Sequence, residues 1–255
     1  MTDPPTADEL AAVLFDHERP ATVRGDPEVG VVATGESDGE GFVKLLVVDP
    51  AHRRQGRGRA LLDAAEADLA HTSAITVGTD APYYLFPGVE TNATALLCLL
   101  ERRRYLRRDA TFNMSVDLNA LPAAPEEGEA RVAGAGDREG LEAWLTSHWS
   151  NWYDEALRAF DRDTLVIAED GEGLSAMCAY NVNRRGHIGP VAVRPDLIGR
   201  GAGVAVLLRA LHRLRATGHE RVEIDWVGPI VPYARVGAVV SRVFLVYRKE
   251  LQPAK

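Results

Sequence analysis

Two glycine-rich turns in this chain have the residue types that bind phosphate groups. The first contains Gly56 and Gly58, the second contains Gly201 and Gly203, and Gly201 lies 145 residues after Gly56. Each turn follows a short apolar run and precedes residues with the apolar spacing of a helix. The first turn of a helix has unpaired backbone N–H groups and a partial positive charge, and glycine lets a ligand approach the backbone closely. A diphosphate is therefore the predicted ligand, and a helix start without any ligand is the alternative for either turn alone.

Two other phosphate-binding motifs do not fit these turns. A P-loop ends in Lys followed by Ser or Thr, and neither turn has that pair. The dinucleotide-binding motif needs a third glycine, but the corresponding residues are Leu61 and Val206. Neither motif therefore accounts for the repeated turns.

Each turn resembles the Arg/Gln-x-x-Gly-x-Gly/Ala signature of the GNAT superfamily of acyl-CoA-dependent N-acyltransferases. The first copy has Arg53 at the start of this signature, whereas the second has Ile198 where Arg or Gln is usual. The resemblance implies that each turn binds the pyrophosphate of coenzyme A and that the preceding strand carries the pantetheine arm. The cofactor-binding residues that it implies are Val191, Val193, Gly199, Arg200, Gly201, Ala202 and Gly203 in the second copy and Val48, Arg53, Gly56 and Gly58 in the first.

The resemblance also implies a proton donor for the thiolate that leaves during acetyl transfer. GNAT enzymes often place a Tyr four residues before a Gly-Phe pair, and Tyr233 stands four residues before Gly237, although Ala238 replaces the Phe. At the corresponding place the first half has Leu100, which cannot donate a proton. Tyr233 is therefore a candidate catalytic residue, with a packed aromatic at the domain edge as the alternative.

A proton acceptor is needed as well, because the amine must be neutral when it attacks. His187 stands where some histone acetyltransferases carry a glutamate base, and the first half has Phe42 there. Asp225 and Glu223, on the next predicted strand, are rival proton acceptors. The alternative for His187 is that it only begins an exposed strand. Strand alternation predicts one shared face for the residues His187, Gly189, Val191 and Val193.

The predicted elements divide the chain into two copies of one domain. The second half has the order β-α-α-β-β-β-α-β-α-β-β, similar to the GNAT fold, and the first half lacks the opening strand and one helix. The predicted fold class is α/β, an α+β arrangement with mixed sheets in two GNAT-like domains. The predicted domains are residues 1–118, trimmed and degenerate, and residues 129–255, catalytic, joined by a Pro-containing linker at 119–128.

Composition is typical of a cytoplasmic globular enzyme. The chain has 255 residues, 46% of them hydrophobic, with a net charge of −8, which disfavours binding to nucleic acid. The sequence lacks an apolar run long enough for a membrane span, and its first ten residues do not resemble a signal peptide. Cys98 and Cys178 lie in apolar surroundings and are interpreted as reduced core residues. The aromatic residues at 144, 149, 152 and 153 are mostly predicted to be core, although the resemblance implies that this region overhangs the acceptor site.

These observations lead to one hypothesis and two rivals. The hypothesis is an acetyl-CoA-dependent N-acetyltransferase that acetylates a primary amine by direct attack in its second half, without a metal. Acetyl-CoA is the co-substrate, the acceptor is a small-molecule or peptide amine, and the protein is a monomer or homodimer. The first rival, a non-catalytic acyl-CoA sensor, is favoured by Ile198. The second, an interaction protein without cofactor binding, is disfavoured by the intact turn from Arg53 to Gly58.

Overall fold

The computed structural model describes residues 4–126 and 128–251 and divides them into two compact units. The first unit is the chain up to Thr111 together with the residues from Arg242 onward, and the second is Phe112–Ser241. The outer ends of the predicted domains, residues 1–3 and 252–255, and Glu127 of the predicted linker lie outside the described residues. Among the helices of the described part, none is both long and apolar enough to span a membrane.

The first unit combines three helices with strands of a mixed sheet. In chain order its elements are α1 (Ala7–Leu14), β1 (Thr22–Asp26), β2 (Gly30–Ser37), β3 (Glu40–Val48), α2 (Arg57–Asp68), β4 (Ala74–Val77), β5 (Val89–Glu90), α3 (Thr94–Arg102) and the first half of β6 (Leu106–Asp117). Strands β1, β2 and β3 are antiparallel neighbours, and β3 pairs in parallel with β4. The side chains of Leu62, Ile75 and Leu100 are fully buried in the core of this unit.

The second unit has helices on both faces of strands of a mixed sheet. Its elements are the rest of β6, β7 (Arg131–Val132), α4 (Arg138–His148), α5 (Tyr153–Phe160), β8 (Leu165–Asp170), β9 (Gly173–Tyr180), β10 (His187–Val193), α6 (Ala202–Ala216), β11 (Arg221–Ile224), α7 (Ile230–Ala234) and the start of β12 (Val239–Glu250). The strand order is β7-β8-β9-β10-β11-β6, with β10 and β11 parallel. The described residues of this unit form two hydrophobic cores, one that contains α6 and one that contains α4 and α5. The observed elements of this half follow the predicted order up to α7, and one continuous strand, β12, takes the place of the two predicted final strands.

Most of the last strand belongs to the first unit, whereas the sequence predicts it in the second domain. From Arg242 onward β12 belongs to the first unit, where Tyr247 pairs with Val77 and Phe244 pairs with Glu90. Phe244 and Tyr247 are buried there, at 0% and 2% exposure, so apolar burial holds this strand in the first sheet. The element order along the sequence predicts these residues in the second domain, because a strand's pairing partner leaves no local signal.

The cysteine predictions have opposite outcomes. Cys178 on β9 is fully buried, as expected. The prediction for Cys98 is wrong, because this residue is exposed on α3. It lies two positions from the buried Leu100, and residues two apart on a helix do not share a face.

Two glycines at equivalent places in the first turns of α2 and α6 have different surroundings. A Cβ atom on Gly203 would lie 2.8 Å from Cγ2 of Val193, whereas one on Gly58 would meet no atom closer than 3.7 Å. We expect Gly203→Ala to lower the free energy of unfolding by about 1–3 kcal/mol through overpacking. Gly58→Ala should raise it by up to about 1 kcal/mol through helix propensity. Urea denaturation followed by circular dichroism measures both, and equal losses in the two variants would contradict the packing argument.

Candidate active site

Strands β10 and β11 pair only where β10 begins and β11 ends. His187 pairs with Glu223 and Ile188 with Ile224, and the Asp225 N–H donates to the Ile188 carbonyl at 3.0 Å. Beyond this point β10 continues to Val193, paired with β9 on its other side.

The pairing with β9 determines where the backbone groups of this continuation point. The Arg194 N–H donates to the Ser175 carbonyl at 2.8 Å, and Val193 is opposite Ala176. Hydrogen-bonded and non-hydrogen-bonded pairs alternate along an antiparallel ladder, so the N–H and C=O groups of Val191 and Val193 point away from β9. We call this side of Val191–Val193 the open edge of β10. The Val193 carbonyl accepts a hydrogen bond from the Trp149 side chain, and the other backbone groups of this edge can bind an extended ligand such as a pantetheine arm.

A β-bulge in β10 changes which residues share a face. The register with β9 shifts between Ile188 and Val191, so Gly189 and Pro190 together oppose a single residue. As a result Ile188, Val191 and Val193 all pack on the core that contains α6. His187, next to Ile188, therefore lies on the opposite face, toward α4 and α5. The prediction that His187 shares a face with Val191 and Val193 is wrong, because the bulge adds one residue to the alternation.

The glycine-rich turn after β10 has the shape of an anion-binding site. Gly199 and Gly201 have φ angles of +87° and +106°, and the space that a Cβ atom would occupy at each is open. Gly201 is the N-cap of α6, so the N–H groups of Ala202 and Gly203 lie in the first helical turn, where no intrahelical acceptor exists. The guanidinium of Arg200 is exposed beside them. These residues fit the pyrophosphate of an acyl-CoA.

The first unit has the same turn with different side chains. Gly56 is the N-cap of α2 at φ +81°, again with open space around it. Arg54 adopts φ +62° at the place that Gly199 takes in the second unit. The Arg53 side chain folds back, and its Nε donates to the Val48 carbonyl at 2.9 Å. The predicted cofactor residues of this copy thus lie together around the turn.

His187 belongs to a buried hydrogen-bonded array in the second unit. It is 6% exposed, and its Nδ1 lies 2.8 and 2.9 Å from the two carboxylate oxygens of Asp225. The Asn113 side-chain amide donates to Asp225 and to Glu223, both at 2.7 Å, and its oxygen accepts from the Trp226 N–H at 2.9 Å. Because Nδ1 donates to Asp225, Nε2 carries the lone pair that can accept a proton. The alternative of an exposed strand start is excluded for His187.

Sequence reasoning missed Asn113 and Glu155. Asn113 lies on β6, which reaches Asp225 only through strand pairing with β11, so no local pattern identifies it. Glu155, on α5, is 6% exposed. Burial raises its pKa to about 8, the negative charges of Asp225 and Asp154 act in the same direction, and Arg158 opposes them. Its carboxyl group therefore carries a proton at neutral pH.

Tyr233 lies on the other face of the sheet from His187. It belongs to α7 and packs, half-buried, against the core that contains α6 and Cys178. Burial raises its pKa to about 12, and the nearby Cys178 thiol acts in the same direction. Tyr233 is therefore protonated at neutral pH and can donate.

The first unit has none of these groups at the corresponding places. Phe42 pairs with Thr76 as His187 pairs with Glu223, and the Gly78 N–H donates to Val43 as the Asp225 N–H donates to Ile188. Phe42, Thr76 and Gly78 thus replace the imidazole and both carboxylates. Leu100, at the place of Tyr233, is fully buried in the core.

The bulge position of the first unit holds a buried ion pair instead. Thr34 pairs with Val43 and Ala33 with Leu45, so Lys44 is the extra residue of β3. Its Nζ lies 2.8 Å from Asp80, with the two side chains 1% and 2% exposed, and Arg19 contacts the same carboxylate at 3.1 Å. Burial lowers the pKa of Lys44, and Asp80 opposes that shift.

Glu155 makes the stability of the protein depend on pH. In the unfolded chain the Glu155 carboxyl group loses its proton near the ordinary pKa of 4.5, whereas in the folded protein it retains the proton up to about pH 8. The free energy of unfolding therefore falls as pH rises through this window, by up to about 1.4 kcal/mol per pH unit. The side chain of Glu155→Gln has no such proton to lose. The free energy of unfolding of this variant minus that of the wild type should therefore increase between about pH 4.5 and pH 8 and stay constant above pH 8. Urea denaturation at several pH values tests this, and a constant difference between the two proteins would contradict it.

Comparisons with known proteins identify a family for each half of the chain. The acetyltransferase (GNAT) family model matches residues 132–230, and an acetyltransferase (GNAT) domain model matches residues 18–96. The mycothiol acetyltransferase of Beutenbergia cavernae is 31% identical over 256 residues, which cover 86% of this chain and 82% of that protein. That of Clavibacter sepedonicus is 29% identical over 248 residues, covering 86% of this chain and 75% of that protein.

A solved structure has the same fold. The tandem GNAT protein from the clavulanic acid biosynthesis pathway superposes with a TM-score of 0.71 at 17% identity, covering 100% of this chain and 91% of that one. Together, the two matched domains and the relatives of similar length confirm the predicted mixed α/β fold with two GNAT domains. The chain therefore belongs to the GNAT superfamily, as an acetyltransferase with two such domains in tandem.

Proposed function

We propose that this protein transfers the acetyl group of acetyl-CoA to a primary amine and that its second unit carries out the reaction. The observation that carries the proposal is the array of His187, Asp225, Asn113 and Glu223 at the start of the open edge of β10. The first unit has Phe42, Thr76 and Gly78 at the places of His187, Glu223 and Asp225, so it lacks the imidazole and both carboxylates of this array.

The acceptor that we propose is a small-molecule amine. The relatives at 29–31% identity are named mycothiol acetyltransferases, which supports a small acceptor rather than a protein. A set of amines that includes the unacetylated form of mycothiol, amino sugars, polyamines and an N-terminal peptide tests this choice. Acetylation of the peptide alone would contradict it.

The turn after β10 positions the donor in this proposal. The residues that hold the pyrophosphate are Gly199, Arg200, Gly201, Ala202 and Gly203. Val191 and Val193 present their backbone groups to the pantetheine arm along the open edge. When bound, acetyl-CoA supplies a thioester whose carbonyl carbon accepts the amine. The N–H groups of the open edge can donate to the carbonyl oxygen as negative charge develops on it.

Two side chains move protons in the proposed reaction. His187 takes the amine proton on Nε2, and the Asp225 carboxylate stabilises the resulting imidazolium. Tyr233 donates its proton to the departing thiolate. The two groups lie on opposite faces of the sheet, so the amine side and the thiol side of the reaction each have their own group.

For the first unit we propose binding of coenzyme A without chemistry. Its turn keeps the open N-cap at Gly56 and exposed guanidinium groups at Arg54 and Arg57. The buried pair of Lys44 and Asp80 fills the bulge position of β3, where an acyl group would have to lie.

Gly201→Glu should abolish acetyl transfer, because it places a side chain and a negative charge in the proposed pyrophosphate site. Gly218→Glu is the matched control, since Gly218 has φ +90° beyond the other end of α6 with equally open surroundings. Calorimetric titration with acetyl-CoA and an amine acetylation assay measure the two effects. If transfer survived in Gly201→Glu and disappeared only after Gly56→Glu was added, the first unit would be the catalytic one and the proposal would be wrong.

His187→Gln and Tyr233→Phe should each lower kcat by about 100-fold or more, because each removes one proton-transfer group. The dissociation constant of acetyl-CoA should change little, because neither side chain contacts the pyrophosphate turn in this proposal. Steady-state kinetics and calorimetry on the same preparations separate the two quantities. Unchanged kcat in either variant would remove that residue from the mechanism.

A further inference from the structure

The two glycine-rich turns differ in the residue that begins the signature, although their backbones match. Arg53 and Ile198 both follow a short 3-10 turn, Pro50–His52 in one case and Pro195–Leu197 in the other. Arg53 has φ −70° and ψ 162°, and Ile198 has φ −56° and ψ 129°. The two residues therefore occupy the same extended position, five residues after Val48 and Val193, respectively.

In the first unit the arginine caps a carbonyl of the strand edge. The Asp49 N–H donates to Val29 at 2.9 Å, so by the same alternation the carbonyl of Val48 points away from β2. Arg53 Nε donates to that carbonyl at 2.9 Å. A charged donor thus fixes the last carbonyl of β3 before the chain enters the turn.

In the second unit the side chain of Ile198 is 65% exposed and contains no hydrogen-bond donor. The equivalent carbonyl, that of Val193, nevertheless accepts a hydrogen bond, which comes from the indole Nε1 of Trp149 at 3.1 Å. Trp149 lies between α4 and α5, on a segment remote in sequence, and its ring stacks on Trp152 with centroids 4.8 Å apart. The same backbone atom is therefore held in both units, by a different side chain in each.

We propose that Trp149 is a positioning residue of the acetyl-CoA site and takes over the task that Arg53 performs in the first unit. Its indole fixes the Val193 carbonyl at the end of the open edge, which holds the strand and the following turn in the geometry that binds the pantetheine and pyrophosphate groups. The indole N–H also partly neutralises the partial negative charge of the Val193 carbonyl oxygen, which favours an anionic ligand beside it. The inference rests on the proposed function in one respect, that the second turn binds acetyl-CoA.

Trp149→Phe tests the role because it keeps an aromatic ring and removes the donor. We expect the dissociation constant and the KM of acetyl-CoA to rise by about 3- to 10-fold, as for one lost hydrogen bond, with kcat within about 2-fold. Adding Ile198→Arg should restore the wild-type dissociation constant, since the new guanidinium stands on the backbone position from which Arg53 reaches Val48. Trp152→Phe is the control, because it alters the stacked partner and leaves the bond to Val193 in place.

The outcomes separate the inference from the function on which it rests. An unchanged dissociation constant in Trp149→Phe, or a rise that Ile198→Arg does not reverse, would overturn the positioning role while the proposed function stands. Wild-type protein that binds no acetyl-CoA would overturn both. If Trp149→Phe fails to fold, 3-benzothienylalanine at position 149 keeps the bicyclic shape and replaces the indole N–H by sulfur. The same weakening in that variant supports the role, and unchanged binding overturns it.

Discussion

The divergence of two parallel strands is the constraint on which the site depends. β10 and β11 share hydrogen bonds at His187 and Ile188, and then the bulge at Gly189 and Pro190 redirects β10. Beyond the bulge, β10 keeps its pairing with β9, and its other edge is not paired with β11. The same bulge places His187 on one face and Val191 and Val193 on the other. One inserted residue thus accounts both for the strand edge that we propose binds the ligand and for the separation of the two proposed proton-transfer groups.

The tandem units show that backbone geometry and chemistry can diverge independently. Both have a parallel strand pair that ends at the same hydrogen bond, a bulge at the same place, and a glycine N-cap at positive φ. These features follow from backbone pairing and from the conformational freedom of glycine, so side-chain substitutions elsewhere leave them intact. Lys44 stands at the bulge in one unit and Gly189 in the other. A long side chain paired with Asp80 fills this place, whereas glycine leaves it open.

The local features of this fold could be predicted from the sequence, and its long-range features could not. The turns at Gly56 and Gly201 and most helices and strands were predictable, because glycine and apolar periodicity act within a few residues. The bulge at Gly189 depends on register against β9, and β12 takes its place through burial of Phe244 and Tyr247 against distant residues. His187 was a candidate because the resemblance places a base at its position, and Asp225 because it lies on the next predicted strand. Asn113 carried no such signal, and for Trp149 the resemblance indicated the region but not the hydrogen bond to Val193.

The hydrogen bonds of the array favour His187 over Asp225 as the group that takes up a proton. Both oxygens of Asp225 lie within hydrogen-bond distance of His187, and one also accepts from Asn113, so two side-chain donors already bind this carboxylate. In His187 the bond through Nδ1 leaves the opposite nitrogen as the basic one. Glu155 adds little competing negative charge at neutral pH, since burial, with a smaller contribution from Asp225, raises its pKa to about 8. A positive charge that forms on His187 therefore meets a carboxylate that is already in place, and the site needs no rearrangement to stabilise it.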